Sequence, residues 1–260
     1  MALYDINGNE VLSSGDSYGS PVSELQRKFK GKNIIWLGDS IHAYSQWDGV
    51  TIPYLFEYHS GSRCYNWCQG GTTMAKIGIS NYDPFSGAGM VNAIISGNFA
   101  DQETYQEDRN FVTQVVEMKS FDMSTANYMI IEFGTNDTLK DVTLDNEENL
   151  LDITTTGGAL RYMIKTLQTA YPKLNIAVCN VQKMTGWLDA EHTKRYDSIN
   201  QTSLINEICD DLSIPLIDIY NNLGLNDYTS ATLLHDGLHR THEGKLKQVQ
   251  LIENRMTQLF

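Results

Sequence analysis

Two short stretches, far apart in the chain, carry the residue types of a nucleophile and a base. Gly38-Asp39-Ser40 directly follows an apolar run, Asn33 to Leu37, and Asp236-Gly237-Leu238-His239 stands near the C-terminus. A serine hydroxyl becomes a nucleophile when an imidazole takes its proton. A carboxylate three residues before that histidine, across a turn, can hold the other ring nitrogen. Two further stretches offer hydrogen-bond donors for a developing oxyanion: Asn66-Trp67-Cys68-Gln69-Gly70-Gly71-Thr72-Thr73 and Gly134-Thr135-Asn136-Asp137. Glycine can present an unobstructed backbone N–H, and the Asn136 side chain can donate from its amide. A second Gly-Asp-Ser, Gly15 to Ser17, acts as an internal control. It even fits G-x-S-x-G, but that pattern marks a nucleophile only between a buried strand and a helix. The preceding Asn7 to Ser14 is mostly polar, so Ser17 reads as a loop residue.

The elements that must position these groups alternate strand and helix. Buried-strand patterns fall at Asn33 to Leu37, Ser62 to Trp67, Tyr128 to Phe133, Asn175 to Val181 and Pro215 to Tyr220. Thr51 to Tyr58 reads as a helix start, with Thr51 as N-cap and Pro53 in the first turn. Helical periodicity recurs over Gly157 to Ala170, Asp197 to Leu212 and Thr241 to Phe260. Five apolar strands separated by helices predict a parallel sheet with helices on both faces. In such a sheet ligands bind beyond the carboxyl ends of the strands. Three of the four stretches follow predicted strands directly. Residues 1–19 read as an N-terminal arm or hairpin turning at Asn7-Gly8, and residues 20–260 as one domain. The crossover at about 73–127 is long; it holds loop sequence over Ser80 to Gly89 and a helical pattern around Phe111 to Met118.

Taken in order, the four stretches resemble the blocks of the SGNH (GDSL-type) hydrolase family, from about Asn33 to the C-terminus. The resemblance implies a flavodoxin-like three-layer α/β/α sandwich with a five-stranded parallel sheet. It implies a serine esterase in which Ser40 is the nucleophile, His239 the base and Asp236 the residue that orients it. The implied oxyanion hole comprises the Ser40 N–H, the Gly71 N–H and the Asn136 side chain. Gly71 is preferred to Gly70 because the family glycine stands five residues after the block's Asn, here Asn66. Asp137 is expected to brace its loop. Two features depart from the family pattern: Arg240 stands where the family often has proline, and the 73–127 crossover is expanded.

Composition narrows the alternatives. A net charge of −13 disfavours nucleic-acid and anionic-membrane partners. No apolar run approaches the ~20 residues of a membrane span. Met1 to Glu10 lacks the basic flank and apolar stretch of a secretory signal. The expected location is therefore cytoplasmic or virion-associated, or secreted if a leader was removed. Cys64, Cys68, Cys179 and Cys209 are expected to be free and mostly buried. His235, His239 and His242 could suggest a metal site, but Gly237 interrupts the helix that shared ligation would need, so no metal or cofactor is expected. His42 reads as an exposed loop residue rather than a pocket wall, and Trp36 as core. Trp47 and Trp187 are candidates for stacking on a sugar ring, ahead of Trp67, Tyr82 and Phe85. The expected reaction is hydrolysis of short acyl esters, foremost O-acetyl groups on a carbohydrate. Lipid- or thioester-directed hydrolysis is the alternative within the class. Outside it stands a phage structural or binding module on this scaffold, since Leu3 to Glu10 loosely resembles phage structural segments.

Overall fold

The computed structural model describes residues 28–186 and 197–260, together with the backbone of β1 (Leu3–Tyr4) and β2 (Glu10–Leu12). These two pair antiparallel, Leu3 opposite Leu12. Ser17 and Trp187 lie outside the described residues.

The five apolar runs form β3 (Asn33–Gly38), β4 (Arg63–Asn66), β5 (Tyr128–Glu132), β6 (Asn175–Cys179) and β7 (Leu216–Ile217). They make one parallel sheet in the order β4-β3-β5-β6-β7. Numbering the five by themselves gives 2-1-3-4-5, the flavodoxin-like order. Burial follows place in the sheet. Ile34 to Leu37 and Met129 to Ile131 are fully buried on central strands, whereas no residue of edge strand β4 is fully buried.

The helices are α1 (Ser40–Ala43), α2 (Ile52–Ser60), α3 (Gly87–Ser96), α4 (Ala100–Tyr105), α5 (Val112–Ser120) and α6 (Thr135–Leu139). They continue with α7 (Thr156–Ala170), α8 (Ile199–Asp211), α9 (Ile219–Asn222), α10 (Ser230–Leu233) and α11 (His242–Leu259). On one face α2 packs against α11; on the other α7 packs against α3 and α8, giving a three-layer α/β/α sandwich. Thr51 caps α2, accepting from Tyr54 N–H, and Thr241 caps α11, accepting from Gly244 N–H.

Three segments differ most from their sequence patterns. The fifth strand stops at Ile217, because Asp218 accepts the Asn221 N–H and starts α9 two residues later. The predicted loop Ser80 to Gly89 ends inside α3, where Ser86 caps the helix through Gly89 N–H and two glycines occupy the first turn. The predicted helix near Phe111 begins at Val112, and the crossover also holds α4. The cysteines are free, with Cys68, Cys179 and Cys209 buried and Cys64 half-buried. No helix among the described residues is long and apolar enough to cross a membrane.

Candidate active site

Ser40 opens α1 immediately after β3. Asp39 turns the chain there: its carboxylate accepts the Ile41 N–H at 2.9 Å and caps the helix. Burial drives the Asp39 carboxyl up to about 8, with Glu132 and Asp137 adding to the push and the Ile41 bond opposing it. Burial thus favours the protonated form of Asp39.

His239 comes from the loop between α10 and α11, on the far side of the chain sequence. Its Nε2 lies 2.9 Å from Ser40 Oγ and its Nδ1 2.7 Å from Asp236 Oδ2. Asp236 also organises the loop, its Oδ1 accepting the Leu238 and His239 backbone N–H groups at 3.0 and 2.7 Å. Partial burial raises the Asp236 carboxyl, but the His239 ring, backbone and charge outweigh it and hold the group at about 2. An ionised carboxylate only accepts, so His239 Nδ1 carries the proton and Nε2 presents its lone pair to Ser40. Gln182 anchors the same loop by donating to Leu238 O at 2.5 Å.

Asn136 lies on α6, just after β5. Gly134 makes the turn possible: its φ is +114°, and a Cβ there would meet Val181 Cγ2 at 2.6 Å. Asn136 Nδ2 donates to Thr72 O at 2.9 Å and lies 3.3 Å from Asp39 Oδ2. Asp137 points into the protein, accepting from Met74 N–H at 2.8 Å and Ala75 N–H at 3.1 Å. It thus ties α6 to the chain that follows the glycine stretch. Neither the Ser40 N–H nor the Gly71 N–H has a hydrogen-bond partner among the described residues.

Ser40, Asp236, His239, Asn136 and the glycine stretch thus meet at one sheet edge. Trp47 joins them. It is 39% exposed, its ring centroid is 4.6 Å from that of His235 in a stacked pair, and it lies 5.5 Å from His239. Its loop is tied down by Asp48, which accepts from Lys245 Nζ at 2.6 Å and lies 3.0 Å from His242 Nδ1. The three C-terminal histidines therefore face different partners. Trp36, Trp67 and Phe85 are core residues.

His42 departs from its reading. It is neither exposed nor a pocket wall but fully buried, with Nε2 2.5 Å from Glu132 Oε2. The period of α1 turns it inward beneath Ser40, and Glu132 on β5 supplies a partner that composition cannot reveal. Sequence reasoning also missed Arg109 and Lys140. Arg109 donates to Gly70 O at 2.6 Å and Lys140 to Gly71 O at 2.8 Å, with Tyr82 between them. Lys140 follows Asn136 by one helical turn and was findable on that ground; Arg109, in an irregular crossover segment, carried no periodic signal.

The comparisons bear on the family and the fold. The model of the GDSL-like Lipase/Acylhydrolase family matches residues 36–246. A Lactobacillus plantarum protein of known structure is similar with a TM-score of 0.67 at 18% identity, covering 89% of this chain and 99% of that one. A GDSL-like lipase from Bacteroides thetaiotaomicron gives 0.53 at 16%, covering 88% and 89%. A lipase/acylhydrolase from Enterococcus faecalis gives 0.50 at 15%, covering 87% and 96%. At such identities these structures bear on the fold alone. No match is found among curated protein sequences. With four ordered blocks on one sheet edge and a family match over most of its length, the chain belongs to the GDSL-like lipase/acylhydrolase family and is a serine ester hydrolase.

Proposed function

We propose that Ser40 is the nucleophile of this hydrolase, with His239 as general base and Asp236 as the group that orients it. The unbroken chain from Ser40 Oγ through both His239 nitrogens to Asp236 carries this reading. Ser40 Oγ attacks the ester carbonyl while His239 Nε2 takes its proton. The Ser40 N–H, the Gly71 N–H and the Asn136 amide receive the oxyanion. Collapse breaks the C–O bond to the alcohol, which leaves with the proton from His239. Water, deprotonated by the same nitrogen, then frees the acid from the acyl-enzyme. Ser40→Ala should lower ester hydrolysis by several orders of magnitude without changing the fold, and a fluorophosphonate should label wild type and not the variant. Equal turnover by the two proteins would remove Ser40 from the mechanism.

The substrate we propose is a short acyl ester, foremost an O-acetyl group on a carbohydrate. Its support is Trp47, an exposed flat ring 5.5 Å from His239 that suits a sugar face better than an alkyl chain. Each CH₂ buried in an acyl tunnel adds ~0.8 kcal/mol, so a tunnel would make kcat/KM climb with chain length. On p-nitrophenyl esters of increasing length the expected optimum is acetate or butyrate, followed by a fall. Acetate should be released from acetylated glycans. An optimum at octanoate or longer, with no glycan deacetylation, would shift the assignment to lipid esters.

A further inference from the structure

The glycine stretch closes as a four-residue turn, with Thr72 N–H donating to Gln69 O at 3.4 Å. Gly71, its third residue, has φ of +74°, while Gly70 is not in the left-handed region. That combination is a type II turn. Types I and II differ by a flip of the central peptide plane, here the unit made of the Gly70 carbonyl and the Gly71 N–H. With glycine at both central positions no side chain opposes either orientation. Yet the orientation matters, because in a trans peptide the N–H points opposite to the C=O. Whatever holds the Gly70 carbonyl therefore aims the Gly71 N–H.

We propose that Arg109 is a positioning residue that latches this peptide, holding the Gly70 carbonyl so that the Gly71 N–H stays turned toward the oxyanion. The proposal rests on the reading of Gly71 as an oxyanion donor. Arg109 Nη2 donates to Gly70 O at 2.6 Å, a charge-assisted bond. The same residue's backbone carbonyl accepts from Gln69 Nε2 at 2.9 Å, so the turn is gripped from both ends. Its guanidinium lies over the Tyr82 ring, 4.0 Å from the centroid. Lys140 Nζ sits on that ring too, at 4.7 Å, and donates to Gly71 O. Among the described residues neither cation is paired with a carboxylate, so both direct their charge at the turn. A donor on the carbonyl also polarises the peptide and makes its N–H a stronger donor to a developing anion. The turn is backed on its other side: a Cβ on Gly70 would meet Tyr44 Cε1 at 2.7 Å, and the Tyr44 ring packs 4.6 Å from His239. Arg109 and Tyr82 both belong to the expanded crossover, which thereby acquires a role in aligning the hole with the base.

The test compares wild type, Arg109→Met, Arg109→Gln and Arg109→Lys on p-nitrophenyl acetate, a neutral substrate. Loss of an oxyanion donor outright costs ~10²–10³ in kcat. Loss of its latch should cost ~10–10² in kcat for Arg109→Met with KM little changed, because the ground-state carbonyl needs the hole less. Arg109→Gln and Arg109→Lys, which keep a donor, should fall between. Added guanidinium should restore part of the kcat of Arg109→Met, a rescue that simple loss of folding would not show. A raised KM with unchanged kcat would instead make Arg109 a substrate contact and overturn the latch. So would wild-type kcat in Arg109→Met while Ser40→Ala is inactive, leaving the serine mechanism standing. Activity in Ser40→Ala would instead defeat the underlying reading itself.

Discussion

Asp39 and Asn136 share a contact through which, in the proposed mechanism, protonation would act on catalysis. Burial pushes the Asp39 carboxyl up to about 8 and so favours its neutral form, which draws the Asn136 amide 3.3 Å away less strongly than a full charge. Ionisation above that point places a carboxylate beside both Ser40 and the proposed oxyanion hole. Hydrolysis should therefore decline above about pH 8 in wild type, and Asp39→Asn, which keeps the helix cap, should lose that decline in a pH–rate profile. The folding side of the linkage has a definite sign. An acid whose folded value exceeds its unfolded one binds more protons when folded, so stability falls as pH rises between 3.8 and about 8. Asp39→Asn should flatten the stability curve there, by at most ~1.4 kcal/mol per pH unit in denaturant titrations. Asp236 has the opposite sign: its contribution is present above the ordinary carboxyl range and is lost only as pH falls toward about 2. For Asn136→Ala, kcat should drop ~10²–10³ with little change in KM. A change confined to KM would assign the residue to ground-state binding.

At the scale of elements, α1, which begins at Ser40, is held from beneath by a buried polar cluster. His42 on α1 meets Glu132 on β5; Gln248 on α11 donates to Glu132 Oε2 at 2.8 Å, and Arg240 Nε donates to Gln248 Oε1 at 2.6 Å. Arg240 is fully buried, and burial lowers its guanidinium to about 10 despite the favourable charge of Glu132. The cluster links the residue two beyond Ser40 to the residue after His239. Arg240, standing where proline is usual, thus serves as an internal strut. Removing one member of such a set strands the others without partners, which typically costs ~3–5 kcal/mol. Glu132→Ala should destabilise the protein by about that much in urea unfolding. Exposed Glu148→Ala should change stability by less than ~0.5 kcal/mol.

For the whole molecule, the dominant fact is the charge of −13. It sets a repulsive field for anionic ligands that salt screens over a Debye length of ~8–10 Å. If the substrate is an acylated glycan, kcat/KM on an anionic polymer should rise with ionic strength, and on a neutral one should stay nearly flat. An unchanged rate on both would mean that local charges at the site override the global field. Arg109 and Lys140 are placed to do so.

Strand and helix order, and the approach of Ser40 and His239 at the carboxyl ends of the strands, were legible in the chain itself. Apolar runs of strand length and periodic helices are local patterns, and the four blocks follow one another in order. The end of β7 and the start of α3 were not legible, because a side-chain cap from Asp218 or Ser86 overrides the run of residue types around it. Folding alone brought Glu132 under His42, 90 residues away in sequence, and Arg109 to Gly70. Those contacts depend on which side chains from distant elements share a buried volume, a quantity with no period along the chain. For the same reason His42 read as a surface residue: its burial comes from α11 and β5 closing over it, not from its neighbours in sequence.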